Sequence, residues 1–87
     1  MDRTRAKQIQ KYICSEFALI RKSRKLTLEE VAFSIDVTPS YLSRLENAKF
    51  QNTPLYIYIM LCDYYRIEWH QIINAATKKL DLDKELY

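Results

Sequence analysis

The chain contains no glycine. That absence excludes the glycine-rich loops that cradle the phosphates of dinucleotides and nucleoside triphosphates. A single histidine and two cysteines are too few for a structural zinc site, which normally takes four protein ligands. Cys14 and Cys62 stand 48 positions apart and fit two free thiols in a reducing compartment. No apolar run approaches the ~18 residues of a membrane span. The polar start, Met1 to Arg5, does not read as a secretory signal, so a cytoplasmic protein is expected. Only two prolines interrupt 87 residues. No serine has a histidine and an acid at motif spacing, and no carboxylate pair stands out. The chain is therefore read as a non-enzyme without cofactor, metal or small-molecule ligand.

What is present is an ordinary globular balance, 48% hydrophobic and 29% charged. The net charge of +3 is unevenly placed. Residues 1–25 hold eight Lys/Arg against two acids, residues 26–50 two against four, and residues 51–87 four against five. A basic amino-terminal quarter suits a polyanion, although a solvated helix face has the same composition.

Apolar spacing predicts five helices and no sheet. Ile9, Ile13, Phe17 and Ile20 form one stripe on a first helix over Thr4 to Arg24. Thr27, with Glu30 three residues on, is a capping box for a second helix that buries Val31, Ala32 and Ile35. Thr38-Pro39 and Thr53-Pro54 each place a hydroxyl before a proline, the signature of a helix start. The third helix then runs from Pro39 to Asn47 with Leu42 and Leu45 inward. The fourth runs from Pro54 to Tyr65 with Leu55, Tyr58, Ile59, Cys62 and Tyr65 inward. Tyr56 to Ile59 alternates like a strand but continues into the longer helical period. The fifth runs from Trp69 to Lys79 with Ile72 and Ile73 inward. Residues 1–79 are read as one domain, with residues 80–87 a tail that extends the last helix or frays.

Helices two and three are joined by Asp36-Val37-Thr38, a turn of helix-turn-helix length with Val37 as its apolar plug. The outward positions of the third helix are Pro39, Ser40, Ser43, Arg44 and Asn47. In a helix lying in a major groove such positions meet base edges, and arginine there reads guanine bidentately. Arg44 could equally be an exposed side chain paired with Glu46 or with a phosphate.

These residues carry a resemblance. Lys25 to Ala32 (K-L-T-L-E-E-V-A) and Asp36 to Asn47 (D-V-T-P-S-Y-L-S-R-L-E-N) resemble the phage-repressor-like (XRE) helix-turn-helix family, whose pattern reads G-L-T-Q-E-E-L-A, then G-V-S-x-S-Y-I-S-R-I-E-N-G. The resemblance covers about residues 13–75, with the motif near 27–47. It implies an all-α, five-helix, lambda-repressor-like domain acting on double-stranded DNA as a transcriptional regulator, most simply a repressor. It implies base contacts from Pro39, Ser40, Ser43 and Arg44, and phosphate contacts from Arg21, Thr27, Thr38, Asn47 and Lys49. It further implies an ion pair between Arg21 and Glu46.

The sequence departs from the family at four places. Leu28 stands where the family has a phosphate-binding glutamine. Lys25, Asp36 and Ala48 stand where it has glycine. Left-handed backbone at those sites tolerates Asp but strains Lys and Ala by roughly 1 kcal/mol.

One such domain makes few base contacts, so a two-fold dimer is expected, with Trp69, Ile72 and Ile73 at its interface and the recognition helices ~34 Å apart. The competing reading folds Trp69 over its own core. The functional alternative is a protein-interaction module of the same fold, an anti-repressor or a partner-recruiting subunit.

Overall fold

Asp2 opens the first helix by accepting the Arg5 amide proton on its carboxylate at 2.8 Å. In the computed structural model, which describes residues 1–50 and 52–86, five helices follow: α1 (Arg3–Ser23), α2 (Leu28–Ser34), α3 (Pro39–Glu46), α4 (Leu55–Tyr65) and α5 (Trp69–Leu86). No strand occurs among the described residues. The all-α architecture expected from the apolar spacing is the one observed.

The stripe of α1 supplies Ile9, Ile13 and Phe17 to the core. Phe17 lies between the rings of Tyr58 and Tyr65, at 6.1 and 6.4 Å between centroids. Val31, Ala32 and Ile35 from α2, and Leu42 and Leu45 from α3, close the same core, as their spacing predicts. A polar tie crosses it as well: Gln10 donates to the Tyr58 hydroxyl at 2.9 Å, with the Cys14 sulfur 3.8 Å from that oxygen. Both cysteines are free and buried, and burial pushes both thiols up, away from the reactive thiolate.

The sequence expectation for α4 needs correction in two respects. The helix starts at Leu55, and Pro54 is its cap with no side-chain acceptor, so Thr53 does not cap it. Pro54 itself is extended (ψ 138°), which delays the first helical residue by one. Leu55 and Ile59 are also not inward: they are 61% and 54% exposed, while Ile57 and Leu61 take the core positions.

The tail, as far as it is described, extends α5 to Leu86; Tyr87 lies outside the described residues. This extension docks on the first half of α1. Leu80 is buried, Arg5 grips Asp81 with two hydrogen bonds of 2.9 and 3.2 Å, and Tyr12 donates to Asp83. The Arg5 guanidinium holds the Asp81 carboxyl below its ordinary range.

Candidate nucleic-acid interface

Two threonines set the motif. The Thr27 hydroxyl accepts the Glu30 amide at 3.1 Å and starts α2. The Thr38 hydroxyl accepts the Tyr41 amide at 3.0 Å and starts α3, with Pro39 at the first helical position. Each hydroxyl keeps its own proton, so a capping threonine can still donate to an external anion.

The turn between the two helices is tight because α2 ends in left-handed backbone. Asp36 has φ 59°, its amide bonds to Phe33, and the Val37 amide reaches back to Ala32 at 3.0 Å. That paired pattern is a Schellman cap. It recurs at Lys25 (φ 57°) after α1 and at Ala48 (φ 56°) after α3, so the three sites expected to want glycine adopt the glycine conformation without it. A fourth, Arg66 (φ 56°) after α4, escaped the sequence reading because no motif residue flags it.

α3 buries Leu42 and Leu45 and turns Pro39, Ser40 and Arg44 to solvent; Asn47, its C-cap, is exposed beside them. Ser43 is only half-exposed. Asn47 donates one side-chain N–H to the Ser43 carbonyl at 2.8 Å and keeps a second N–H donor. Lys49 is exposed, and its backbone amide bonds to the Arg44 carbonyl at 2.9 Å.

Arg21 and Glu46 pair as expected. Nε donates to Glu46 Oε2 at 2.8 Å, Nη2 to Oε1 at 3.0 Å, and Nη1 to the Leu26 carbonyl at 2.9 Å. Both residues are buried. The hydrogen bonds to Glu46 raise the guanidinium above its already high value. Both Glu46 oxygens accept from Arg21, and Glu46 makes no ion pair with Arg44. Among the described residues Arg44 has no acidic partner within ion-pair distance.

The residues expected at a dimer interface are only partly available. Ile72 is 2% exposed and belongs to the chain's own core. Trp69 packs its ring 5.9 Å from that of Tyr58 and, like Ile73, is partly covered. α4 exposes Leu55, Tyr56 and Ile59, and Ile59 lines a shallow groove with Trp69.

A five-helix domain with an exposed, threonine-capped second helix in a helix-turn-helix defines the class. The chain matches the family model described as helix-turn-helix over residues 17–68, and it belongs to that XRE-type, lambda-repressor-like family. The family is one of DNA-binding regulators. No curated protein matches the chain. None of the described helices is long and apolar enough to cross a membrane.

Proposed function

We propose that the protein is a sequence-specific repressor that inserts α3 into the major groove of double-stranded DNA and works as a homodimer. The single observation that carries this reading is Arg44. It is exposed in the last turn of α3, with no acidic partner among the described residues, on a helix fixed by the Thr38 cap and the Arg21–Glu46 pair. An unpaired arginine on such a helix has its full fork of donors free for guanine O6 and N7. Pro39, Ser40 and Ser43 share the face and supply apolar or hydroxyl contacts to base edges. Thr27, Thr38, Asn47 and Lys49 surround it and meet phosphates. Arg21 serves the phosphate contact indirectly: three of its donors are bound inside the protein, so it holds α1 and the end of α3 in register.

The second copy docks, in this proposal, on the exposed apolar strip of α4 (Leu55, Tyr56, Ile59) together with Trp69 and Ile73. A protein-interaction module would need no free arginine on α3, and this favours the DNA reading over that alternative.

The test is a pair of affinities measured on a site selected from a random duplex pool and on random duplex. Arg44→Ala should cost about 1–3 kcal/mol on the selected site and much less on random DNA. Equal losses on both would make Arg44 a phosphate contact. A wild type with flat, weak, salt-insensitive binding would favour the interaction module.

A further inference from the structure

The first half of α1 is the basic segment that the family match, which begins at residue 17, leaves out. It is helical from Arg3, so it is not a loose arm. Its cations also divide by face. Arg5 is turned to α5 and held by Asp81. Lys7 and Lys11, one helical turn apart, lie on another face and line a cleft with Gln10, Cys14, Ala48 and Phe50. Among the described residues no carboxylate lines that cleft. The neighbouring groove across Lys11, between α1 and α5, is different: Glu16 and Asp83 line it. The α1 surface therefore favours anions on the side of the α3–α4 loop only.

That loop wall is tied to the recognition helix. The Lys49 amide bonds to the Arg44 carbonyl, and Phe50 packs on Tyr41 of α3 with 4.7 Å between centroids. Lys49 itself is exposed between the two lining residues Ala48 and Phe50. Among the described residues none of Lys7, Lys11 and Lys49 has an acid within ion-pair distance. Two lysines thus line one cleft free of carboxylates among the described residues, a third stands between two of its lining residues in sequence, and the wall they share is tied to α3 by hydrogen bonding and stacking.

We propose that this cleft is a second backbone-phosphate site on the same duplex, in which Lys7 and Lys11 join Lys49 to grip the strand beyond the stretch read by α3. The inference rests on the duplex-binding reading above and extends its footprint. The contact is to phosphate alone, so it adds affinity and register without sequence preference.

The salt dependence of binding tests it. Each phosphate contact contributes about 0.9 to the slope of log K against log salt on B-DNA. Lys7→Gln and Lys11→Gln should each lower that slope by about 1, and the double variant by about 2, on selected and random duplex alike. The ratio of the two affinities should stay unchanged. Lys78→Gln, on α5 away from the cleft, should leave the slope as it is. Ethylation interference on the selected site should show one or two blocking phosphates that vanish with the double variant. A double variant with the wild-type slope and interference pattern overturns the second site while leaving the duplex-binding reading intact. A wild type with no salt-dependent duplex binding overturns the duplex-binding reading itself. All the substituted lysines are exposed, so helical circular dichroism should be unaltered.

Discussion

Glu46 and Ser43 lie one turn apart on α3, yet their removal should have very different effects. Glu46→Ala strips a buried guanidinium of two of its three protein acceptors, and losing one side of a buried pair costs about 3–5 kcal/mol. Ser43 is half-exposed, so Ser43→Ala should stay within about 0.5 kcal/mol of wild type. Urea denaturation of the two variants checks the difference; equal midpoints would mean that the pair adds nothing. Beside this pair sits Tyr65, 1% exposed, whose hydroxyl finds no hydrogen-bond partner among the described residues. Burial, reinforced by the Glu46 carboxylate, pushes the phenol up to about 12. An unfolded tyrosine ionises near 10. Between those values the unfolded chain has released a proton that the folded chain keeps, so this group's contribution is whole below pH 10 and is lost as pH rises towards 12. Tyr65→Phe should therefore lose stability less steeply over that alkaline range. At neutral pH it should be about 1 kcal/mol more stable, because an unsatisfied buried hydroxyl is gone. Thermal melts of both proteins at pH 7 and across pH 10–12 decide it, and an unchanged slope would refute the assignment.

The elements end in a way unusual for a chain without glycine. Lys25, Asp36, Ala48 and Arg66 each hold left-handed backbone just past a helix, in Schellman hydrogen bonding. A Cβ in that conformation costs roughly 1–2 kcal/mol per residue, least for Asp, whose short side chain tolerates it. Lys25→Gly, Ala48→Gly and Arg66→Gly should each stabilise the fold by roughly 0.5–1 kcal/mol once the added freedom of the unfolded chain is deducted. Asp36→Gly should gain less. Denaturation midpoints check this order, and a loss of stability at Lys25 or Ala48 would contradict the strain argument. These turns were legible in advance at three of four sites, because the family pattern marks them; Arg66 lies outside the motif. The α4 face was misread for a different reason. Residues 55–65 are apolar almost all round, with Asp63 the only charge, so periodicity alone selects no face. Leu55 and Ile59 fit an inward stripe as well as Ile57 and Leu61 do.

At the scale of the whole molecule, the segments outside the family match clasp one another. The first half of α1 and the second half of α5 meet through Leu80, Arg5–Asp81 and Tyr12–Asp83. The proposed dimer uses α4, where Leu55, Tyr56 and Ile59 are exposed and Ile59 lines a groove with Trp69. Exposed apolar patches on small proteins mark interfaces. Sedimentation equilibrium of the free protein should give twice the 10.5 kDa chain mass. Ile59→Asp, at an exposed position, should give the single chain with its helical circular dichroism intact. A wild type that sediments as a monomer and binds DNA one copy per site would end the dimer proposal.

The sequence alone determined the five helices, the motif turn and the inward residues of α1 to α3, while the Arg21–Glu46 pair was expected from the family resemblance. The helices, turn and stripes rest on local rules: a cap residue next to a helix start, or a 3.6-residue stripe with polar residues opposite. Only the tertiary structure decided which side of α4 is buried, that Ile72 is consumed by the core, and that residues 80–86 continue α5. It also decided that Lys7 and Lys11 line a cleft with Ala48 and Phe50. Those outcomes depend on what packs against each helix from far along the chain. A segment that is apolar on all sides, or basic on several, carries no local mark of its neighbour.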